Sequence, residues 1–407
     1  MKIKTLHLDI KGMTCDHCAS SIAKKLEADG IIDKAVSYPE AGAKISFDEN
    51  KISSTEITDL VNSTGHYKVV GSSEINSAED NAKHLIIIGG GSAAFAATIQ
   101  ARELGASVTM INDGLPIGGT CVNVGCVPSK NLIRAAESLH KANNNPFPGI
   151  DSSARLTDFK TVIRQKRELV LDLREHKYIN VVKDMENFRM IDGRAAVVSS
   201  TSVEVNGKTI SGSHILVATG ARPLIPNIPG LVDVPYLTNE SAFELDELPE
   251  SLIVLGGRYI ALEIAEMFAR LGSKVTVLQR SERIMPTESR DLTDALTGYL
   301  TGEGLNIVTG NDLQRVAEHE GRIVVESMIN GVLQKFEADK IIVATGRRAN
   351  TDRMGLEESG VNLKKNGSIH TDEYLQTNIP TIFAAGDVLG ENMFVYTAAY
   401  EGKLAIN

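Results

Sequence analysis

The four cysteines of this chain fall in two close pairs, Cys15/Cys18 and Cys121/Cys126. A secreted disulfide framework over 407 residues would need more cysteines, spread further apart. Close pairs point instead to soft-metal ligation or to dithiol–disulfide chemistry. The first pair lies in Gly12-Met13-Thr14-Cys15-Asp16-His17-Cys18-Ala19, a loop leading into a helical stretch. Two thiolates so placed suit a soft, two-coordinate ion such as Hg(II) or Cu(I). His17 is either a third ligand or a solvent-exposed spacer, and Met13 is expected to pack under the loop. A thioredoxin-type redox pair is the competing reading, but the order of elements around it is wrong. The second pair lies in GGTCVNVGCVPSK, residues 118–130, where a loop enters a helix. A helix N-terminus and Lys130 both lower a thiol pKa, giving a thiolate at neutral pH that can attack a disulfide. The bland alternative is two buried structural cysteines.

Phosphate-binding turns surround this second pair. Gly89-Gly90-Gly91-Ser92-Ala93-Ala94 matches G-x-G-x-x-G/A between a strand-like and a helix-like segment. Gly89 permits the tight turn, Gly91 allows close approach of a pyrophosphate, and the small Ala94 allows helix–strand packing. The acid expected to bind the ribose is replaced by Asn112; Asp113 either substitutes for it or is a turn residue. Residues 85–112 align without a gap on 252–279, with nine of 28 positions identical, an internal duplication. The second turn, Gly256-Gly257-Arg258-Tyr259-Ile260-Ala261, has lost its middle glycine. It is followed by Gln279-Arg280 with no acid, which favours the 2′-phosphate of NADP over the free hydroxyl of NAD. Arg280 otherwise reads as a solvated surface charge. Val217-Ala-Thr-Gly and Val343-Ala-Thr-Gly346 echo one another, completing two dinucleotide-binding units.

The elements that must position these residues follow. Residues 1–71 read as strand–helix–strand–strand–helix–strand, a separate βαββαβ module with strands over 2–11, 35–38, 43–47 and 67–70 and helices over 18–29 and 55–63. Residues 72–83 (SSEINSAEDNAK) have linker composition. The basic run Arg164–Arg167 opens an amphipathic stretch and is expected to be a solvated helix face. The net charge of −10 argues against general nucleic-acid binding. No apolar run reaches 18 residues, so no membrane span is expected. No apolar segment follows Met1, so no signal peptide is read and the cytoplasm is the expected location.

GGTCVNVGCVPSK resembles the active-site motif of the flavin disulfide reductases, the class I pyridine nucleotide-disulfide oxidoreductases that include glutathione reductase, dihydrolipoamide dehydrogenase and mercuric reductase. Ala218-Thr219-Gly220, the 344–351 segment around Gly346 and Thr381-Ile-Phe-Ala-Ala-Gly386-Asp387 look like the later motifs of that family. The similarity runs from residue 84 to 407. It implies FAD and a nicotinamide cofactor, with Cys121 as interchange thiol and Cys126 as the thiol against the flavin. It also implies Lys130 near flavin N5 paired with Glu263, and Asp387 on the ribityl chain. Gly114, Gly119, Thr120, Ala195 and Val395 fall where the family contacts FAD. Tyr259 matches a position that covers the nicotinamide pocket in the family; here it either gates NADPH or packs on the turn.

The Gly12–Ala19 loop is similar to that of heavy-metal-associated domains. Together the two resemblances point to the mercuric reductase branch: NADPH reduces FAD, FAD reduces the cysteine pair, and Hg(II) held by thiols receives two electrons. The expected architecture is α/β: a ferredoxin-like heavy-metal-associated module (1–71), a linker (72–83), an FAD domain (84–246 plus 372–407) and an NAD(P) domain (247–371). Cys15, Cys18, Cys121 and Cys126 are the expected metal ligands. The family normally continues with a C-terminal dimerisation domain, expected here to be missing; a homodimer is the expectation for full-length members. A disulfide reductase of another substrate and a soft-metal-binding protein with an inactive flavin core are the alternatives.

Overall fold

The structure, a computed structural model, describes residues 3–39, 41–76 and 83–407 and divides into two compact units, Met1–Lys83 and His84–Asn407. In the first, strands Ile3–Lys11, Ile31–Ser37, Gly42–Asp48 and Lys68–Asn76 form an antiparallel sheet in the order second, third, first, fourth. Period-two alternation buries Leu6, Leu8 and Ile10 of the first strand. Helices Asp16–Lys25 and Ser54–Asn62 cover that face with Ile22, Ile57 and Val61, at helical spacing. Ser53 and Glu56 close a reciprocal capping box on the second helix. The last strand extends five residues into the segment 72–83 that composition reads as linker. Residues 71–76 pair with 4–9 of the first strand, and backbone pairing is indifferent to the polar side chains that suggested a tether. Residues 77–82 lie outside the described set.

The second unit contains the duplication as two parallel sheets. One has the order Ile382–Ala384, His214–Val217, His84–Ile88, Ser107–Asn112, Phe188–Asp192. The other has the order Lys340–Val343, Ser251–Leu255, Lys274–Gln279, Asn306–Thr309. Both faces of the inner strands His84–Ile88, His214–Val217 and Ser251–Leu255 are buried, which is why these read as continuous apolar runs. Helix Tyr259–Leu271 covers one face of the second sheet through Ala261, Ala265 and Phe268. An antiparallel sheet of Asn311–His319, Arg322–Ile329 and Val332–Ala338 covers the other through Val316, Ile323 and Val325. The first sheet repeats this plan with helix Ser92–Glu103 and a small antiparallel sheet carrying Val197, Val203 and Val205.

The packing moves two expected domain boundaries. Ala349, Met354, Leu356, Val361 and Ile369 pack into the core of the first sheet, so the 347–371 segment does not belong with the second. Conversely Leu231, Val234, Ala242 and Phe243 pack into the cores flanking the second sheet, although they precede residue 247. Strand Ala221–Pro223 pairs antiparallel with Arg347–Ala349 where the chain passes between the two cores. Arg164–Arg167 is a solvated face only in part: Arg164 and Gln165 are exposed, but Lys166 is not. Helix Phe159–Arg174 buries Lys166 completely against Glu244, and Arg167 Nε donates to Glu244 Oε2 at 2.6 Å. A buried cation with a matched carboxylate is a built contact; charge composition alone does not distinguish it from a wet surface.

Candidate active site

The two glycine-rich turns have the same backbone solution. Gly89 has φ +126°, and a Cβ there would lie 2.1 Å from the Ala218 carbonyl oxygen. Gly256 has φ +113°, and its Cβ would lie 2.3 Å from the Ala344 carbonyl oxygen. Only glycine fits either position, because each is left-handed and faces the backbone that follows the neighbouring strand. Ala94 is fully buried in the helix that follows the first turn, consistent with a packing role, and does not line the cavity below. Asn112 closes over Gly90 and donates to the Leu115 carbonyl at 3.0 Å, whereas Asp113 is exposed.

Beside the first turn lies a cavity of about 820 Å³. It is lined by Gly89, Gly91, Asn112, Asp113, Gly114, Gly119, Thr120, Ala195, Thr219, Gly220, Asp387 and Val395, together with both Cys121 and Cys126. Segments some 300 residues apart in sequence thus converge on one elongated space. The residues suit a flavin dinucleotide. Gly119 approaches so closely that a Cβ would lie 2.7 Å from Gly91 Cα, leaving a backbone-lined floor. The helix Ser92–Glu103 points its N-terminus at this floor, where a pyrophosphate is favoured. Asn350 also lines the cavity, as do Arg222, Glu240, Asp352, Arg353 and Met354, which motif reading did not find. Asn350 lies within the 344–351 motif, but its role depends on the chain folding back after Arg347.

The dithiol is set by two helices. Cys121 sits in the short helix Gly119–Asn123; Cys126 opens the helix Cys126–Asn143. Both are free thiols, Cys121 half-buried and Cys126 exposed. A hydrogen bond from the Cys121 thiol holds Cys126 well below its ordinary value, at about 6, and the Lys130 cation one turn along the same helix adds to this. The same hydrogen bond, with burial, pushes Cys121 up. The pair is therefore asymmetric: Cys126 carries the charge and Cys121 the proton. Lys130 Nζ lies 2.7 Å from both oxygens of Glu263, which stands on the helix following the second glycine-rich turn.

The loop between the cysteines is held from three sides. The buried Asn123 donates to the carbonyls of Pro116, Ile117 and Gly119 at 2.8, 3.2 and 2.8 Å. Arg174 Nε donates to Asn123 Oδ1 at 2.8 Å, and Asn239 Nδ2 to the Val124 carbonyl at 2.8 Å. Tyr178, stacked edge-on to Phe95, lies against Gly118. Asn123 was visible in the motif; nothing in the sequence marks Arg174, Tyr178 or Asn239.

The residues around the second turn lie apart from this cavity. Gln279 is buried, with its side chain against Gly257, while Arg280 is exposed. Gly346 has φ +143° and is exposed. Tyr259 is about half exposed and donates to Glu288 Oε1 at 2.7 Å.

In the N-terminal unit, Cys15 and Cys18 Sγ are 3.7 Å apart at the start of helix Asp16–Lys25. Hydrogen bonds from the Thr14 backbone and side chain and from the Tyr67 hydroxyl lower Cys18 to about 6. Tyr67 was not singled out from the sequence. Among the described residues no three His, Cys, Asp or Glu side chains converge as a metal site. Met13 packs on the core of this unit. No helix among the described residues is long and apolar enough to cross a membrane.

Comparison with known proteins agrees with this geometry. Residues 83–402 match the pyridine nucleotide-disulphide oxidoreductase family. The chain is 40% identical to a mercuric reductase of Staphylococcus aureus over 98% of its own length and 73% of that protein's. It is 41% identical to a mercuric reductase of Bacillus cereus over 99% of its length and 65% of that protein's. The HOCl-induced flavoprotein disulfide reductase RclA from Escherichia coli, in its Cu(II) complex, superimposes with a TM-score of 0.71 at 31% identity, over 80% of this chain and 70% of that one. The chain belongs to the pyridine nucleotide-disulphide oxidoreductase family and is an FAD-dependent oxidoreductase of mercuric reductase-like sequence.

Proposed function

We propose that this protein reduces Hg(II) to Hg(0) with electrons from NADPH, through FAD and the Cys121/Cys126 pair, in the cytoplasm. The observation that carries the reading is the asymmetric dithiol opening into the same cavity as the first glycine-rich turn. FAD, when bound there, supplies the two-electron carrier between the nicotinamide and the thiols. Gly89, Gly91, Gly119 and Thr219 line the cavity with backbone, and Asp387 offers a carboxylate to the polyol chain. Cys126 meets an incoming Hg(II) as a thiolate, and Cys121 gives up its proton as it becomes the second ligand. Two sulfur ligands suit this ion's softness. Lys130, held by Glu263, keeps positive charge beside Cys126 and favours its anionic form.

The first unit reads as a ferredoxin-like heavy-metal-associated domain and the two parallel sheets as Rossmann-like domains for FAD and NADP. The exposed Arg280, with no acid at Gln279, supports NADPH over NADH. The Cys15/Cys18 pair is then a collector that takes Hg(II) from cellular thiols by ligand exchange. A second reading, reduction of a small disulfide, is favoured by the structural likeness to a disulfide reductase. The test is NADPH consumption by the purified chain in excess thiol, with and without Hg(II). Consumption that requires Hg(II), with release of Hg(0), supports the first reading. Consumption with a disulfide and not with Hg(II) supports the second.

A further inference from the structure

Arg347 brings together three parts of the cavity wall. It opens the strand Arg347–Ala349, paired with Ala221–Pro223 at the crossing between the two sheets. Its side chain is 10% exposed. Nη2 donates to the Ala221 carbonyl and, at 3.3 Å, to Thr120 Oγ1. Nε is buried without a hydrogen-bond partner and stands 3.8 Å from Asp387 Oδ2. Ala221, Thr120 and Asp387 all line the cavity, and Thr120 adjoins Cys121. A buried N–H left 3.8 Å from a carboxylate is costly, because it does not regain the hydrogen bond it had in water. The same atoms become satisfied if the carboxylate is drawn on one side by the guanidinium and on the other by hydroxyl donors in the cavity. Asp387 has a second carboxylate nearby: Glu401 accepts from the Gly386 N–H at 2.7 Å. Two neighbouring carboxylates disfavour each other's charge, and the Arg347 cation on the protein side of Asp387 offsets this.

We infer that Arg347 is a positioning residue for flavin binding, holding the Asp387 carboxylate toward the polyol chain of the cofactor while fixing Thr120 beside the dithiol. This rests on the reading of the cavity as an FAD site. It assigns to Arg347, which ends a motif of the second dinucleotide unit, a task in the first. The chain thereby uses the residue that follows the second sheet to finish the cofactor cradle of the first.

The test is a double-mutant cycle on FAD affinity. Full-length protein stripped of flavin is titrated with FAD, reading the quenching of flavin fluorescence. Arg347→Met should weaken binding about tenfold to a hundredfold, the range of a charge-assisted hydrogen bond. Asp387→Asn should weaken it similarly, and the double variant should be no weaker than Asp387→Asn alone. Arg347→Lys, which keeps the charge, should recover most of the affinity. Loss of fold alone would not produce this non-additivity or this rescue. Thermal melting of each flavin-free variant checks the fold. If Arg347→Met does not fold, the same cycle is run with Arg347→Lys and Arg347→Gln. FAD affinity within twofold of wild type in Arg347→Met, or losses that multiply in the double variant, overturns the inference. Wild-type protein that binds no FAD overturns the reading of the cavity instead.

Discussion

At the scale of single residues, the dithiol owes its asymmetry to hydrogen bonding before it owes it to charge. The Cys121 thiol is the largest influence that lowers Cys126, ahead of Lys130. Cys126 is therefore mostly thiolate above about pH 6 and is protonated as pH falls through that value. Cys121→Ala should move the midpoint for alkylation of Cys126 by iodoacetamide upward from about 6 toward the ordinary value of roughly 8.5. Lys130→Met should move it in the same direction by a smaller amount. An unchanged midpoint in Cys121→Ala would mean that Lys130 and the helix N-terminus set the thiolate without Cys121. The dithiol and Lys130 were legible in the sequence because one helical turn separates Cys126 from Lys130. The Lys130–Glu263 pair was legible only through resemblance, since 133 residues separate the partners.

At the scale of elements, the duplicated turn supplies a paired experiment. Gly89→Ala and Gly256→Ala each force a Cβ into a carbonyl oxygen at a left-handed backbone position, at a cost of about 3 kcal/mol or more. If the two sheets serve different cofactors, Gly89→Ala should purify without flavin. Gly256→Ala should keep its flavin but lose reduction by NADPH, read from the bleaching of flavin absorbance. Equal loss of flavin in both would show that the turns are not functionally separate. The loop between the cysteines is a second element held by many bonds. Asn123→Ala removes a buried donor from three carbonyls and the acceptor of Arg174. It should lower stability by about 2–3 kcal/mol, measured by denaturant titration. Arg174→Ala should cost less, because it removes one bond at the outer edge of the same network. The antiparallel sheets that cover the parallel ones were not read from sequence in any detail. Their strands alternate, but which face they cover depends on partners far along the chain.

At the scale of the whole molecule, the two cysteine pairs lie in two compact units, and each pair has one thiol lowered to about 6. Hg(II) titration should therefore saturate one site at each pair. Cys15→Ala/Cys18→Ala should lose one equivalent and keep NADPH-dependent reduction at high Hg(II), with its larger effect where Hg(II) is scarce and thiol-bound. Loss of all Hg(II) binding in that variant would remove the proposed core site. Sequence alone determined what depends on local spacing: the cysteine pairs, the glycine turns with their left-handed backbone, the βαββαβ order of the first unit and the duplication in the second. These are carried by residue type and period within a few turns of chain. The tertiary structure alone decided where residues 347–371 pack, that Lys166 is buried, that Arg174 and Asn239 brace the dithiol loop, and that Arg347 stands between Thr120 and Asp387. Those contacts join residues tens to hundreds of positions apart. The free energy that selects them comes from burying one surface against another, which no local pattern encodes.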